Sequence, residues 1–212
     1  MLTHAKLDEV MKAVASLMEA NRQMLIELDQ RNGDGDLGIS MADGYAAASR
    51  FVKSSEEEDL GKLFFGMSKA FNEAAPSSLG TITSLFLMGA AKVLKGSTGA
   101  DLALLASALR EGMNRVMEKA GSKPGEKTIL DALDPAISAL EDNNRESTAA
   151  AFSAAAEAAK LGAQSTAGML AVHGRAAYYG QRTLGLVDGG AVAGALVFEA
   201  VAHAVGKMTE TA

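Results

Sequence analysis

The sequence contains no cysteine and no tryptophan, and aromatic residues make up only 5% of its 212 residues. Without cysteine the chain has neither a disulfide framework nor a nucleophilic thiol. The net charge is -6 and the basic residues form no block, which argues against electrostatic binding to nucleic acid or to anionic lipid. We find neither a signal peptide nor a long uninterrupted apolar run, so we expect a soluble cytoplasmic protein with no membrane partner.

Runs of β-branched, strand-forming residues are also scarce, whereas Ala, Leu, Met, Glu and Lys dominate. This composition predicts an all-α fold. Apolar periodicity and helix start and stop signals give eight helices, joined mostly by short loops that favour antiparallel neighbours. The third helix is expected to begin at the charged joint 54–59 and to end just before residue 76. The other seven expected ranges are about 6–28, 39–52, 77–94, 101–120, 126–140, 147–171 and 191–207. No repeat or linker divides the chain, so we expect residues 1–212 to form one domain.

The most informative stretch lies between the first two predicted helices. Asp29, Asp34 and Asp36 fall within eight residues, with glycines interleaved among them. Glycine permits positive φ and tight turns, so the three carboxylates are able to converge on one point. Converging carboxylates repel each other unless a cation lies between them, and hard oxygen ligands suit Mg²⁺ or Ca²⁺. We interpret the stretch as a Mg²⁺ site that holds phosphates.

Other interpretations of this stretch are weaker or remain open. Gly33-x-Gly35-x-x-Gly38 matches the dinucleotide-binding fingerprint, but that motif requires a preceding strand and here a helix precedes it. An EF-hand loop beginning at Asn32 would need glycine and glutamate where the chain has Leu37 and Asp43. A solvated loop whose aspartates cap the next helix is compatible with the sequence, and so is a helical Ca²⁺-binding protein.

Two further segments carry polar groups suited to phosphate. Residues 77–81 begin a helix after Pro76, and their amides and hydroxyls favour an anion, although an ordinary serine N-cap explains them equally well. The long glycine-bearing loop 173–190 includes Arg175 and Arg182, which are suited to clamp phosphates, and Asp188, which is suited to a ribose or a base. A rim loop with surface salt bridges is the alternative for that segment.

Three interior positions also carry expectations. Asp131, within the predicted helix 126–140, is a candidate functional carboxylate, but we expect a solvated helical aspartate. Gly80 and Gly89, inside the fourth helix, predict a close backbone approach by a neighbour or a ligand.

Four segments taken together resemble the nucleotide-binding L subunit of bacterial dihydroxyacetone kinase, equivalently the C-terminal domain of the single-chain ATP-dependent kinases. Their order and spacing cover nearly the whole chain. The segments are Leu28-Asp29 with Gly33-Asp34-Gly35-Asp36-Leu37-Gly38, Ser77-Ser78-Leu79-Gly80-Thr81, Pro124-Gly125-Glu126-Lys127-Thr128-Ile129-Leu130-Asp131-Ala132-Leu133, and Gly174-Arg175-Ala176 through Asp188-Gly189-Gly190-Ala191.

The resemblance implies an antiparallel eight-helix barrel with ADP or ATP bound at one end. It implies that Asp29, Asp34 and Asp36 hold two Mg²⁺ ions that bridge the nucleotide phosphates. Near the phosphates or the nucleoside it places Leu37, Gly38, Ile39, Ser40, Ser78, Leu79 and Gly80. Beside the adenine it places Gly121 and Ile129, with Arg175, Asp188, Gly189 and Gly190 closing the site.

The resemblance also implies partners. In the family a separate K subunit binds the acceptor, dihydroxyacetone or a related ketose or polyol, as a hemiaminal on a histidine. In phosphotransferase-dependent systems a third, M-type subunit recharges a tightly held ADP. We identify no catalytic residue in this chain, which fits a subunit that carries the nucleotide. A nucleotide-loaded regulatory module that docks on a transcription factor or enzyme is the alternative.

Two positions depart from the family pattern. The chain has Leu37 where histidine usually follows the third aspartate, and Asp188-Gly189-Gly190 where Asp-Pro-Gly is usual. Neither departure removes an implied metal ligand. Both are placed to alter nucleotide affinity, partner docking or the substrate system.

Overall fold

The computed structural model describes residues 1–143 and 146–210, and this part of the chain is helical with no β-strand. The predicted all-α fold is thus confirmed. The α-helices are α1 (His4–Ala20), α2 (Arg22–Asp29), α3 (Leu37–Ser54), α4 (Leu60–Ala74), α5 (Ser78–Leu94), α6 (Leu102–Ala120), α7 (Leu130–Asp142), α8 (Thr148–Ser165) and α9 (Gly189–Glu210). Two 3-10 segments, Thr166–Gly168 and Arg175–Thr183, lie between α8 and α9.

The first predicted helix is observed as two, because the chain bends at Asn21. This residue has φ -102° and ψ 5°, and its side-chain amide donates to the Leu17 carbonyl oxygen at 2.8 Å. An asparagine that bonds to the preceding turn in this way competes with helical hydrogen bonding. With α1 and α2 counted as one broken helix, residues 1–143 and 146–210 form the eight helical units expected.

The helices form a closed ring. Each helix from α3 to α8 packs against the next one along the chain, and α1 packs against both α3 and α9. Apolar side chains point inward and enclose a cavity of about 360 Å³, whose lining includes Val10, Phe86 and Phe198. Because successive helices run in opposite directions, the loops that precede α3, α5, α7 and α9 lie at the same end of the ring.

The ring depends on close helix packing at small residues. In α8 the side chains of Ala151, Ala155 and Ala159 are fully buried between α7 and α9. Gly89 of α5 faces Gly112 of α6, and an added Cβ at Gly89 would lie 2.7 Å from the Gly112 Cα. The close backbone approach predicted at Gly89 is therefore confirmed, with a neighbouring helix as the cause.

Several helix ends differ from expectation. The helix predicted from residue 126 begins only at Leu130, because residues 123–129 form a turn in which Lys127 has a φ of 61°. Pro135, which the sequence predicts to interrupt or kink this helix, lies inside α7 and does not end it. The helix predicted to reach residue 171 ends at Ser165 and continues as a 3-10 turn. A turn expected at residues 142–145 includes Asn144 and Arg145, which lie outside the described residues.

The last helix is apolar enough to resemble a membrane span. Residues 189–209 have a mean hydropathy of 1.4, but a core helix of a soluble protein meets the same criterion. In the ring α9 packs against α1, α7 and α8, and its Ala191, Ala193 and Phe198 are buried. This packing accounts for part of the apolar character of α9, since 39% of the apolar stretch is buried.

The contact between α5 and α6 leads to a stability prediction. Replacement of Gly89 by alanine should lower the free energy of unfolding by about 1–3 kcal/mol, because the new methyl group meets backbone atoms of α6 that cannot move aside. Gly206→Ala is the matched control, since Gly206 lies in α9 with nothing within 4 Å of an added Cβ. That change should stabilise the protein by up to about 1 kcal/mol through helix propensity. Chemical denaturation followed by circular dichroism measures both, and equal effects of the two changes would contradict the packing argument.

Candidate functional site

An acidic cluster lies at the end of the ring where α2 meets α3. Asp29 is the last residue of α2, and Asp34 and Asp36 stand in the loop that follows. One carboxylate oxygen from each aspartate lies within 4.8 Å of the others. The convergence that the spacing predicts is thus present in the folded chain.

The backbone of the loop brings the three side chains together. The Gly33 amide donates to the Asp29 carbonyl oxygen at 2.6 Å, and the Gly35 amide donates to the Asp29 carboxylate at 2.7 Å. Gly35 has a φ of 80°, in the left-handed region that favours glycine. The loop therefore folds back on the end of α2, and this turn brings Asp34 and Asp36 close to Asp29.

The cluster is strongly negative and open to solvent. Burial raises the pKa of Asp36, and the nearby charges of Asp34 and Asp29 raise it further, whereas Arg175 opposes the increase. The Arg175 guanidinium lies 2.7 Å from a carboxylate oxygen of Asp34. Asp34 and Asp36 are both exposed, so an ion can approach from outside. Three converging carboxylates form a donor set that suits a hard divalent cation.

The start of α3 adjoins this cluster. Leu37, Gly38 and Ser40 are buried, whereas Ile39 is 46% exposed. The first amides of a helix lack intrahelical partners and carry partial positive charge. The N-terminus of α3 therefore offers backbone donors beside the aspartates. Of the four residues 37–40, Ile39 is the one whose side chain is exposed to solvent.

The start of α5 has an ordinary serine cap. The Ser77 hydroxyl accepts from the Gly80 amide at 3.1 Å. Ser78 is exposed, Leu79 is half-buried and Gly80 is buried beneath the preceding loop. The N-cap interpretation of this segment is therefore observed, and a phosphate contact by Ser78 stays a prediction.

The loop between α6 and α7 is closed by an unexpected buried carboxylate from the first turn of α7. Asp131 is only 5% exposed, and its two oxygens accept from the amides of Gly125 at 2.5 Å and Thr128 at 2.6 Å. The expectation of a solvated Asp131 was therefore wrong, because this side chain closes the turn before α7. In the same loop Gly121 is exposed, with a φ of 67°, and Ile129 is buried.

Residues 166–188, which we call the cover loop, lie over the same end of the ring. A buried lysine, Lys127, holds this loop by donating from its ammonium group to backbone carbonyl oxygens of Thr166, Thr183 and Leu186 at 2.6–2.8 Å. Sequence reasoning missed Lys127, because a lysine near a helix start is ordinarily exposed and no periodicity distinguishes it.

Asp188 ends the cover loop and caps α9. Its carboxylate accepts from the Ala191 amide at 2.7 Å, and its own amide donates to the Thr166 hydroxyl at 2.9 Å. Burial raises the pKa of Asp188 to about 6, and the charges of Asp131 and Asp29 contribute to the increase. The side chain therefore has a structural partner whether or not it also meets a ligand.

Gly189 and Gly190 pack against the two neighbouring loops. An added Cβ at Gly189 would lie 3.2 Å from the Leu37 side chain, and one at Gly190 would lie 3.5 Å from the Ile129 amide nitrogen. Leu37 and Gly189 are the two departures from the family pattern. The two positions are thus neighbours, and a proline ring at position 189 would come into close contact with the buried Leu37 side chain.

Arginine and tyrosine side chains form a cleft beside the acidic loop. Its volume is about 400 Å³, and it is lined by Gly33, Arg175, Tyr178, Tyr179 and Arg182. The Arg182 guanidinium lies over the Tyr179 ring at 5.1 Å, and Tyr178 is 88% exposed. The sequence pointed to both arginines but not to the tyrosines, because nothing in the primary pattern shows that the cover loop folds toward Gly33.

Comparison with known proteins gives consistent matches. Residues 31–203 match the DAK2 domain. The ADP-binding subunit DhaL of PEP-dependent dihydroxyacetone kinase 1 from Listeria innocua is 30% identical over 186 residues, which cover 87% of this chain and 88% of that protein. The corresponding DhaL subunit from Escherichia coli is 27% identical over 82% of this chain and 84% of that protein.

Longer kinases contain a region like this chain. The L-erythrulose kinase of Pectobacterium atrosepticum is 31% identical over 94% of this chain but only 34% of its own length. Two crystal structures of the dihydroxyacetone kinase of C. freundii also match, one native and one in complex with AMP-PNP and Mg²⁺. Their TM-scores are 0.76 and 0.75 at 25% and 26% identity, over 94% of this chain and 34% of those chains.

The domain match spans most of the chain, and the DhaL subunits align with it over nearly their full length. The ring of helices and the acidic loop agree with that match. The chain therefore belongs to the DAK2 domain family, together with the DhaL subunits of dihydroxyacetone kinases.

Proposed function

We propose that residues 1–212 form one nucleotide-binding domain, the L-type subunit of a dihydroxyacetone-kinase-type system. It binds ADP or ATP through two Mg²⁺ ions and transfers a phosphoryl group to dihydroxyacetone or a related ketose or polyol. The observation that carries the proposal is the convergence of the Asp29, Asp34 and Asp36 carboxylates within 4.8 Å. Support comes from relatives named as ADP-binding subunits and from a related kinase in complex with AMP-PNP and Mg²⁺.

The charges at the site support a metal-dependent mode of binding. Three aspartates and Arg175 leave a net charge of about -2, which repels the phosphates of a nucleotide. When bound, Mg²⁺ would neutralise both sets of oxygens and fix their positions, which is most of what phosphoryl transfer requires. The residues of the chain hold and orient the nucleotide, with Arg175 and Arg182 placed to contact phosphate oxygens from the cleft.

The remaining nucleotide contacts are assigned by the same proposal. Leu37, Gly38 and Ser40 are buried, so they act through the α3 backbone, while the exposed Ile39 and Ser78 offer side chains. The full proposed set is Leu37, Gly38, Ile39, Ser40, Ser78, Leu79, Gly80, Gly121, Ile129, Arg175, Asp188, Gly189 and Gly190.

The acceptor and its catalytic base belong to a partner in this proposal. A K-type subunit presents the hydroxyl, and a phosphotransferase-system M-type subunit is a candidate for the phosphoryl donor. We place the reaction in the cytoplasm.

The metal role of Asp34 gives the first functional prediction. Asp34→Asn should lower the affinity for ADP in the presence of Mg²⁺ by at least about 10- to 100-fold, because it removes one of the carboxylates that hold the metal. Isothermal titration calorimetry measures the affinity, and circular dichroism checks that the helices remain. Asp43→Asn is the control, since Asp43 pairs with Arg22 and lies outside the cluster. Unchanged ADP affinity in the Asp34 variant would refute the assignment.

A turnover assay distinguishes the kinase from the regulatory module. Dihydroxyacetone phosphate should accumulate only when this chain and the K-type subunit of the same organism are both present. The assay compares ATP with a phosphorylated phosphotransferase protein as donor. If the chain binds ADP tightly but no product forms with either donor or with other ketoses, the regulatory module becomes the better explanation.

A further inference from the structure

Both ends of the cover loop meet at one buried cation. The Lys127 side chain is 3% exposed, and its ammonium group donates to the carbonyl oxygens of Thr166 and Met169 near the start of the loop, at 2.7 and 3.2 Å. It also donates to those of Thr183 and Leu186 near the end, at 2.8 and 2.6 Å. Four backbone oxygens thus converge on one positive charge, an arrangement like a cation site built from carbonyl groups.

The stability of the cover loop depends on the ammonium group of Lys127 at the centre of these oxygens. Burial lowers the pKa of Lys127, and the charge of Asp188 opposes that decrease. If the ammonium group were lost, the carbonyl oxygens of Met169 and Leu186 would lose the donor described for them, and those of Thr166 and Thr183 would keep only a backbone amide. Such a loss destabilises the segment that carries these oxygens. The cover loop is therefore expected to keep its fold only while a donor occupies this point.

The clamped loop carries a residue of the candidate site. Arg175 lies between the two clamped ends, and its guanidinium contacts Asp34 of the acidic cluster at 2.7 Å. The same stretch is also attached to the α6–α7 loop by His173, whose ring nitrogen lies 2.6 Å from the Glu126 carboxylate. The path from Lys127 to the acidic cluster thus runs through the cover loop.

We propose that Lys127 is a positioning residue: its ammonium group clamps both ends of the cover loop and so places Arg175 over the three aspartates. The effect on nucleotide binding rests on the proposed function, whereas the effect on the loop does not. Lys127 itself is not expected to touch the nucleotide, because it is buried beneath the loop.

Limited proteolysis tests the clamp without any nucleotide. In Lys127→Gly, glycine adopts the φ of 61° without strain, so the variant isolates loss of the ammonium group. Tryptic cleavage after Arg175 and Arg182 should become at least about tenfold faster, because the loop opens more often. Lys123→Gly is the control, since Lys123 is exposed in the same turn, and it should be cleaved like the unmodified protein.

Chemical rescue separates the clamp from a general loss of packing. Ammonium chloride should restore protection in Lys127→Gly, because a free ammonium ion can donate to the same carbonyl oxygens. Tetramethylammonium chloride at the same ionic strength should not, because it has no N–H group. Protection in the variant equal to that of the unmodified protein, or no difference between the two salts, would overturn the proposal.

A double-mutant cycle tests whether Lys127 acts through Arg175. Lys127→Gly and Arg175→Ala should each weaken Mg²⁺-dependent ADP binding by about tenfold, and the double variant should lose little more than either one. Additive losses would refute action through Arg175. If the unmodified protein binds no nucleotide, the proposed function fails while proteolysis still decides the role of Lys127.

Circular dichroism accompanies each variant. If Lys127→Gly loses its helices, Lys127→Arg replaces it in both assays, because arginine keeps a charge and N–H donors at this position. Lys127→Arg should keep its helices. Its tryptic cleavage after Arg175 and Arg182 should be faster than in the unmodified protein but slower than in Lys127→Gly. Loss of helicity in both variants would mean that Lys127 supports the ring rather than the loop, and the proposal would then be wrong.

Discussion

Mutual repulsion among Asp29, Asp34 and Asp36 is the constraint around which this end of the protein is built. Three carboxylates within 4.8 Å of one another are unfavourable on their own, and the fold holds them there by covalent geometry and backbone hydrogen bonds. The neighbouring features all reduce that negative charge or complement it. They include the N-terminus of α3, the Arg175 guanidinium and the cover loop that brings it in.

The ring of helices gives these features a common location. Alternating helix directions place the starts of α3, α5, α7 and α9 at one end, so four segments far apart in the chain meet there. Close packing at small residues keeps the ring tight, as in the contact between Gly89 and Gly112 and the alanine face of α8. Asp131 and Lys127 then fix the turn before α7 and the cover loop to each other.

The two departures from the family pattern lie side by side in the structure. Leu37 is buried at the start of α3, and Gly189 begins α9 directly against it. An added Cβ at position 189 would lie 3.2 Å from the Leu37 side chain, so a larger residue there would require a small shift of that side chain. The pair lies beside the acidic cluster, and the three carboxylates still converge there.

The sequence by itself determined the helical class, most helix positions and the acidic cluster. Helix periodicity is local, and Asp29, Asp34 and Asp36 are separated by so few residues that the intervening glycines alone bring them together. Only the tertiary structure decided the roles of Lys127 and Asp131 and the position of the tyrosines in the cleft. Lys127 bonds to carbonyl groups 39 to 59 residues away, and whether its charge is buried depends on how the cover loop returns over the ring. Burial and long-range pairing of this kind leave no periodic trace in the chain, because they depend on which segments the closed ring brings together.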